Sequence, residues 1–268
     1  MLLKWIRLLR RLTQINDDFR RSRIIGAGKL AFCDSDNDVM SDIPTFFPTL
    51  FCKGMHEERD LTTLKRLATS FRVDADHTIF SEGEFAGSAF GVSRGFVRLF
   101  KSLPDGRRRI VSFALPGDLL DTPLADRFAF SADAIGEVSL CRFPREQLKK
   151  VILSSPDLTR LLMEFEAREL RAARNHLFLL GSSSAEERLT SFLLDWRSRL
   201  GQVSTASQPL PLPMRRGDIA DFLGLQLETV SRTLAGLEKK GAIRIAPNGV
   251  LLPGLERAPR EGDPCTAL

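Results

Sequence analysis

The 268-residue chain has little of what metal and catalytic sites are built from. Its four cysteines, Cys33, Cys52, Cys141 and Cys265, stand far apart with no CxxC pair, so zinc-ribbon and thioredoxin-like sites lack a basis. Scattered thiols fit a reduced, cytoplasmic protein. Histidine is scarce: His56, His77 and His176 are the whole supply. No P-loop, nucleophile elbow, HExxH or paired-carboxylate motif occurs; Asp118 and Asp121 stand alone and read as a turn. There is no apolar run of about 18 residues, so no membrane-spanning helix is expected. The opening "MLLKWIRLLRRL" is broken by Lys4, Arg7, Arg10 and Arg11, which leaves no signal-peptide apolar region. A net charge of +5 is too small for a polycation. No membrane partner is expected, and the chain is not expected to be an enzyme.

What is present is ordinary core material, 43% apolar residues, with charge that varies along the chain. Residues 1–30 hold eight Lys/Arg against two Asp/Glu, and residues 205–260 hold eight against five. The first segment reads as a basic amphipathic helix with Leu2, Trp5, Leu9 and Leu12 on one side. Two readings fit it: a surface for membrane or nucleic acid, or an extension upstream of the true start, with Met40 and Met55 as alternative starts. Residues 1–45 are therefore assigned to a poorly ordered basic extension and linker.

Residues 46–153 change character. A helix is expected over Glu57–Phe71, with Leu61, Leu64, Leu67 and Ala68 at helical spacing. Short β-rich runs follow, among them "VRLFKSLPDGRRRIVSF", a hairpin with its turn at Pro104-Asp105-Gly106. Many short strands between Gly and Asp turns predict a β-roll or sandwich. "REQLKKVILSS" returns to helix.

Residues 154–181 predict a long helix, with Ser154 or Ser155 as N-cap and Pro156 in its first turn. Leu158, Phe165, Ala172 and Leu179 repeat every seven residues, and Leu161, Leu162 and Leu180 widen the stripe. That period suits a partner helix, hence a dimer seam through Leu158, Leu161, Leu162, Phe165, Ala172 and Leu179. The same stripe could instead pack on its own β-domain.

Residues 182–255 follow a different plan, and 256–268 are a tail. "SSSAEERLTSFLLDWRSRLG" is amphipathic through Leu189, Phe192, Leu193, Trp196 and Leu200. After a Pro/Ser-rich stretch, "MRRGDIADFLG" is a short helix with Ile219, Ala220 and Leu223 inward, stopped by Gly224. In "LQLETVSRTL" Val230, Leu234 and Leu237 take one face, while Glu228, Ser231 and Arg232 take the other. "GAIRIAPNGVLLP" closes the region as a hairpin with Asn248-Gly249 at its turn. Helix, glycine turn, helix and hairpin make a winged helix-turn-helix, whose second helix fits a DNA major groove. The fold class is α+β: an N-terminal β-roll, a long dimerisation helix and a C-terminal winged helix-turn-helix.

"RRGDIADFLGLQLETVSRTLAGLEKKGAI" closely resembles the helix-turn-helix of the Crp/Fnr superfamily of bacterial regulators, most of all its Fnr/FixK branch. "SSSAEERLTSFLLDW" resembles the helix before that domain, and "PDGRRRIVSFALPGDLL" the middle of the family's β-roll. The resemblance covers roughly residues 57–250. It implies a homodimer binding double-stranded DNA, with Glu228, Ser231 and Arg232 reading half-sites of the TTGAT type. Arg232 would donate to a guanine edge, Glu228 would accept from a cytosine amine and Ser231 would make a tolerant contact. Arg215, Arg216, Lys239 and Lys240 are the candidates for phosphate contacts. Gln226 is a weak N-cap for the reading helix. RNA polymerase is an expected partner, with "PDGRRR" at 104–109 an exposed basic candidate.

The family's sensors need residues this chain departs from. Cyclic-nucleotide members carry a Gly-Glu pair and an Arg-Ser; here Leu120-Asp121 stands for the first, the second is missing, and Arg127 is the nearest cation. An unpaired anion would be costly to bury, so cyclic nucleotides are not expected. Iron–sulfur members use a close trio of cysteines plus one in the β-roll; Cys141 resembles the latter, as a possible redox residue, but the trio is absent. None of the histidines lies in a haem motif. The expectation is a FixK-like regulator of low-oxygen or nitrogen-oxide responsive genes with no cofactor. A haem- or small-effector-gated regulator of the same architecture is the alternative, and a regulatory subunit of an enzyme a third class. An iron–sulfur cluster is also left open. Activator and repressor are not separable from these residues.

Overall fold

The computed structural model describes residues 58–182, 184–201 and 209–253. The basic extension, the 256–268 tail, Cys33, Cys52, Cys265 and His56 lie outside them. The chain divides into two units, Met1–Gly181 and Ser182–Leu268.

In the first unit, helix α1 (Glu58–Leu67) leads into strand β1 (Thr69–Val73). The helix expected to reach Phe71 thus stops at Leu67. Thr69-Ser70-Phe71-Arg72-Val73 is richer in β-branched and aromatic residues than α1, and pairing with β5 captures it. Strands β2 (Thr78–Phe80), β3 (Ser88–Ser102), β4 (Arg108–Ala114) and β5 (Ser131–Pro144) complete an antiparallel sheet. Its order is β1-β5-β3-β4, with β2 also on β5. The β3–β5 pair runs from Ser88↔Pro144 to Phe100↔Ser131, with register shifts at Val92/Arg94 and Arg94/Phe96. Such bulges bend and twist long strands and curl the sheet. The β3–β4 connection is the expected hairpin around Pro104-Asp105-Gly106.

The roll has two apolar cores. One is filled by Phe80, Phe128, Ala86, Val92, Val97 and Leu140 among others, with Phe71 and Phe90 against them. Phe80 stacks on Phe90 at 5.7 Å between centroids, and Phe71 meets Phe90 edge-on at 5.9 Å. Beside it an ionic cluster centred on the buried Arg98 and Asp133 draws on four strands, β2 to β5. Arg98 Nη2 lies 2.8 Å from Asp76 Oδ1, and Arg98 Nε lies 3.4 Å from Asp133 Oδ2. Thr78 Oγ1 donates to the other Asp133 oxygen at 2.8 Å, and Arg108 Nη1 is 3.6 Å from Asp133 Oδ2.

The second core joins Leu64 of α1, Cys141 and Phe143 of β5, Leu148 and Ile152 of α2 (Arg145–Ser154), and the start of α3 (Pro156–Ser182). Ser155 precedes α3 as its cap: its Oγ accepts from the Leu158 N–H at 3.3 Å and donates to Asp60. Cys141 is fully enclosed. That is the environment of a small packed hydrophobe.

The stripe read as a dimer seam also packs within the protomer. Leu158, Leu162 and Phe165 are buried in the second core, with Leu161 packed against it. Their stripe therefore serves the protomer's own domain over the first half of α3. Ala172 is exposed and Leu179 half-buried. The large apolar side chains left outside are Met163, Leu170 and Leu177, spaced by seven, and Phe178. They sit about 140° around the helix from the Leu158–Phe165 stripe, at 100° per residue.

In the second unit, α4 (Ala185–Arg199) starts at a capping box: Ser184 Oγ accepts from the Glu187 N–H at 3.3 Å, and Glu187 Oε2 accepts from the Ser184 N–H at 2.7 Å. Helices α5 (Arg216–Leu223) and α6 (Leu227–Lys239) follow. Strands β6 (Leu210–Pro211), β7 (Arg244–Ala246) and β8 (Gly249–Leu251) form a sheet in the order β6-β8-β7. The two-residue β6 lies in what the sequence suggested was only a turn region. The wing turn also shifts: Ala246 pairs with Gly249, so Pro247 and Asn248 are the loop. Gly249 has a different duty. A Cβ there would stand 2.0 Å from the Leu210 carbonyl oxygen, so only glycine lets β6 close on β8.

Candidate nucleic-acid interface

The interface is built on a small apolar core. Leu189, Phe192, Leu193 and Trp196 of α4 are buried with Ile219, Ala220 and Leu223 of α5 and Val230, Leu234 and Leu237 of α6. Trp196 Nε1 donates to the Pro211 carbonyl at 2.8 Å, which ties α4 to β6. Gly224 takes the left-handed conformation, φ 62°, ψ 39°. There the Leu225 N–H reaches back to the Ala220 carbonyl at 2.9 Å and closes α5. Gln226 follows as the α6 N-cap and makes no side-chain cap hydrogen bond, as expected from its chemistry.

With Val230, Leu234 and Leu237 held inward, the opposite face of α6 is fixed by helix geometry. Glu228 and Arg232 are exposed and Ser231 is half-exposed. Among the described residues, none of the three has a side-chain hydrogen bond or ion pair, so Glu228 and Arg232 do not satisfy each other across the turn. Lys239 is exposed on the same face, roughly 16 Å further along the axis at 1.5 Å per residue. Arg215 and Arg216 are exposed where α5 begins, and the Arg215 N–H donates to Asp218 at 3.1 Å.

Lys240, the remaining phosphate candidate, has a carboxylate partner. Its ammonium donates to both carboxylate oxygens of Glu186, at 2.7 and 2.6 Å. The sequence could not bring these two together, because they are far apart along the chain. Two further residues went unnoticed. Leu227 is 48% exposed at the first position of α6, one turn before Ser231. Arg244 is exposed at the start of the wing. Leu227 could have been found: it lies beside Ser231 at i,i+4, at the margin of the apolar stripe.

The segment where cyclic-nucleotide members bind their ligand is tied up by its own side chains. Asp121 accepts from the Thr122 N–H at 2.7 Å and from the Ala129 N–H at 3.1 Å. Arg127 Nη1 donates to the Gly83 carbonyl at 2.7 Å. Arg145, almost wholly buried, donates to the Thr122 carbonyl at 2.7 Å and also to that of Ala125. Burial lowers the Arg145 guanidinium below its ordinary value, opposed by the carboxylates of Asp121, Asp126 and Glu146.

Comparison with known proteins agrees with this anatomy. Residues 70–155 match the cyclic nucleotide-binding domain, and residues 187–257 the Crp-like helix-turn-helix domain. The nitrogen fixation regulation protein FixK of Bradyrhizobium diazoefficiens is 47% identical over 193 residues, covering 72% of this chain and 81% of that protein. The transcriptional activatory protein AadR of Rhodopseudomonas palustris is 45% identical, covering 76% of this chain and 92% of that one. The solved structure of FixK2 from Bradyrhizobium japonicum superposes with a TM-score of 0.64 at 37% identity, over 69% of this chain and 92% of that one. Two matched domains in this order, and relatives of this closeness, place the chain in the Crp/Fnr family of transcription regulators, with FixK-type proteins among its near relatives.

Proposed function

We propose that the protein is a cytoplasmic homodimeric activator that reads a palindrome of the TTGAT-N4-ATCAA type. The observation that carries this is the polar face of α6: an exposed carboxylate and guanidinium and a half-exposed hydroxyl, without side-chain partners among the described residues, on a helix whose other face is locked into the core. In a major groove Arg232 offers two donors to a guanine edge, and Glu228 accepts from a cytosine amine. Ser231 and the exposed Leu227 form an adjoining row, and Leu227 suits the thymine methyls such a half-site displays. Lys239, Arg215 and Arg216 supply phosphate contacts, with the α5 N-terminus adding its positive dipole end. Each half of the palindrome takes one α6, about 34 Å apart on successive turns. The seam joining the two copies runs through Met163, Leu170 and Leu177, on the face of α3 turned away from its own domain.

The reading includes low-oxygen or nitrogen-oxide responsive control without a bound cyclic nucleotide or iron–sulfur cluster, and contact with RNA polymerase. Support for the cofactor part is the self-bonded 121–129 segment and the phenylalanine-filled roll. Support for the physiological part is the nitrogen-fixation name borne by the FixK relatives. Fluorescence anisotropy with the palindrome and a scrambled duplex tests the core of the proposal: tight, selective binding by purified protein with no added effector is expected. Equal affinity for both duplexes would reject it.

A further inference from the structure

The first turn of α4 carries three consecutive charged residues with three different partners. Glu186 receives the Lys240 ammonium on both oxygens. Glu187 closes the capping box on Ser184. Arg188 Nη1 donates to the Leu223 carbonyl, the last of α5, at 3.1 Å. Lys240 is the residue on which α6 ends. One turn of α4 therefore holds the C-terminal ends of both helices of the helix-turn-helix. The cation from Arg188 meets α5 where its carbonyls are unsatisfied and its dipole is negative. At the same end of α6, Glu238 Oε1 accepts from the Ile245 N–H at 2.8 Å, so the wing is hung from it too. The chain enters this turn directly from the boundary between the two units.

We propose that Glu186 and Arg188 are positioning residues for the DNA-reading helix, and that Lys240 acts on DNA through Glu186 rather than by meeting a phosphate. The inference rests on α6 being the reading helix. Two ends of a rigid pair fixed to one turn set the angle at which Glu228 and Arg232 enter the groove. A lysine whose ammonium is held by both oxygens of a carboxylate is poorly disposed to neutralise a phosphate as well.

The two roles give opposite signs at Glu186, which makes them separable. Full-length protein is titrated with the palindrome and a scrambled duplex over a salt series. Wild type that fails to prefer the palindrome rejects α6 as the reading helix, and this inference with it. Given that preference, Glu186→Gln weakens palindrome binding by roughly two- to fivefold, the range of a partly exposed ion pair. Simple removal of a negative charge near DNA would tighten it. Lys240→Met weakens binding by a similar factor with an unchanged salt slope, and the two changes together cost no more than either alone. The charge swap E186K/K240E restores affinity, which controls for damage to the fold, and Arg188→Met lowers the preference for the palindrome. A salt slope flattened by about one in Lys240→Met, the mark of a lost phosphate contact, overturns the proposal. Unchanged or tighter binding by Glu186→Gln also overturns it.

Discussion

Phe80 and Phe128 stack inside the β-roll with ring centroids 3.8 Å apart and planes 12° from parallel. Phe128 belongs to the segment that follows Asp121, so that segment's own side chain fills the interior. Phe128→Ala is expected to cost about 3–5 kcal/mol, the usual toll for emptying a buried phenylalanine site. Urea unfolding followed by circular dichroism measures it. Added cyclic AMP is expected to leave the wild-type melting temperature unchanged, since a ligand that binds only the folded state must raise it.

On α3 the two heptad stripes predict different failures. Leu170→Glu places a charge on the outward stripe and is expected to shift sedimentation toward the monomer while the fold persists. Phe165→Ala instead destabilises the domain by about 3–5 kcal/mol, because its ring is buried in the protomer's own core. If Leu170→Glu sedimented as wild type, the outward seam would be wrong.

For DNA, Arg232→Ala is expected to lose about 1–3 kcal/mol against the palindrome and to relax discrimination at one base pair per half-site. Lys239→Ala should weaken palindrome and scrambled duplexes alike and flatten the salt slope by about one. Competition titrations at several salt concentrations distinguish the two.

The buried ionic cluster yields a further test. Arg98→Ala leaves the Asp133 carboxylate in the interior without its main cation and is expected to cost about 3–5 kcal/mol. Replacing both by apolar residues of similar volume is expected to cost less than the single change, because the charges left behind, Asp76 and Arg108, are partly exposed to water. Paired thermal melts of the two variants decide it.

At the wing, Gly249→Ala is expected to destabilise the DNA-binding unit by about 1–3 kcal/mol, since the added carbon collides with the Leu210 carbonyl oxygen. Calorimetric unfolding shows it as a lowered transition of that unit.

The helix-turn-helix was legible in the sequence because local signals agree there: Gly224 breaks the pattern, and Val230, Leu234 and Leu237 repeat at helical spacing on its far side. The same periodicity left the duty of the α3 stripe open for a physical reason. Helix α3 carries two apolar stripes, and a repeat of seven does not say which one meets the helix's own domain. Burial of Leu158, Leu162 and Phe165 depends on Leu64, Phe143 and Ile152, which come from other parts of the chain. Pairing between distant residues was hidden in the same way. Strand β6 exists only because β8 accepts it, and Lys240 looked like any basic residue until Glu186 was seen beside it. Thr69 illustrates the converse, a stretch whose strand chemistry was visible but was overridden by the helical pattern before it.

Helix α3 gives one face of its opening half to its own domain, and the proposed seam runs along another face from Met163 to Leu177. Three heptad contacts over about 21 Å, at 1.5 Å rise per residue, are a modest bond between two copies. Such a bond obeys mass action. While monomers predominate, the population able to span both half-sites grows as the square of the amount of protein. A regulator assembled this way converts a twofold change in its own abundance into a fourfold change in competent dimer.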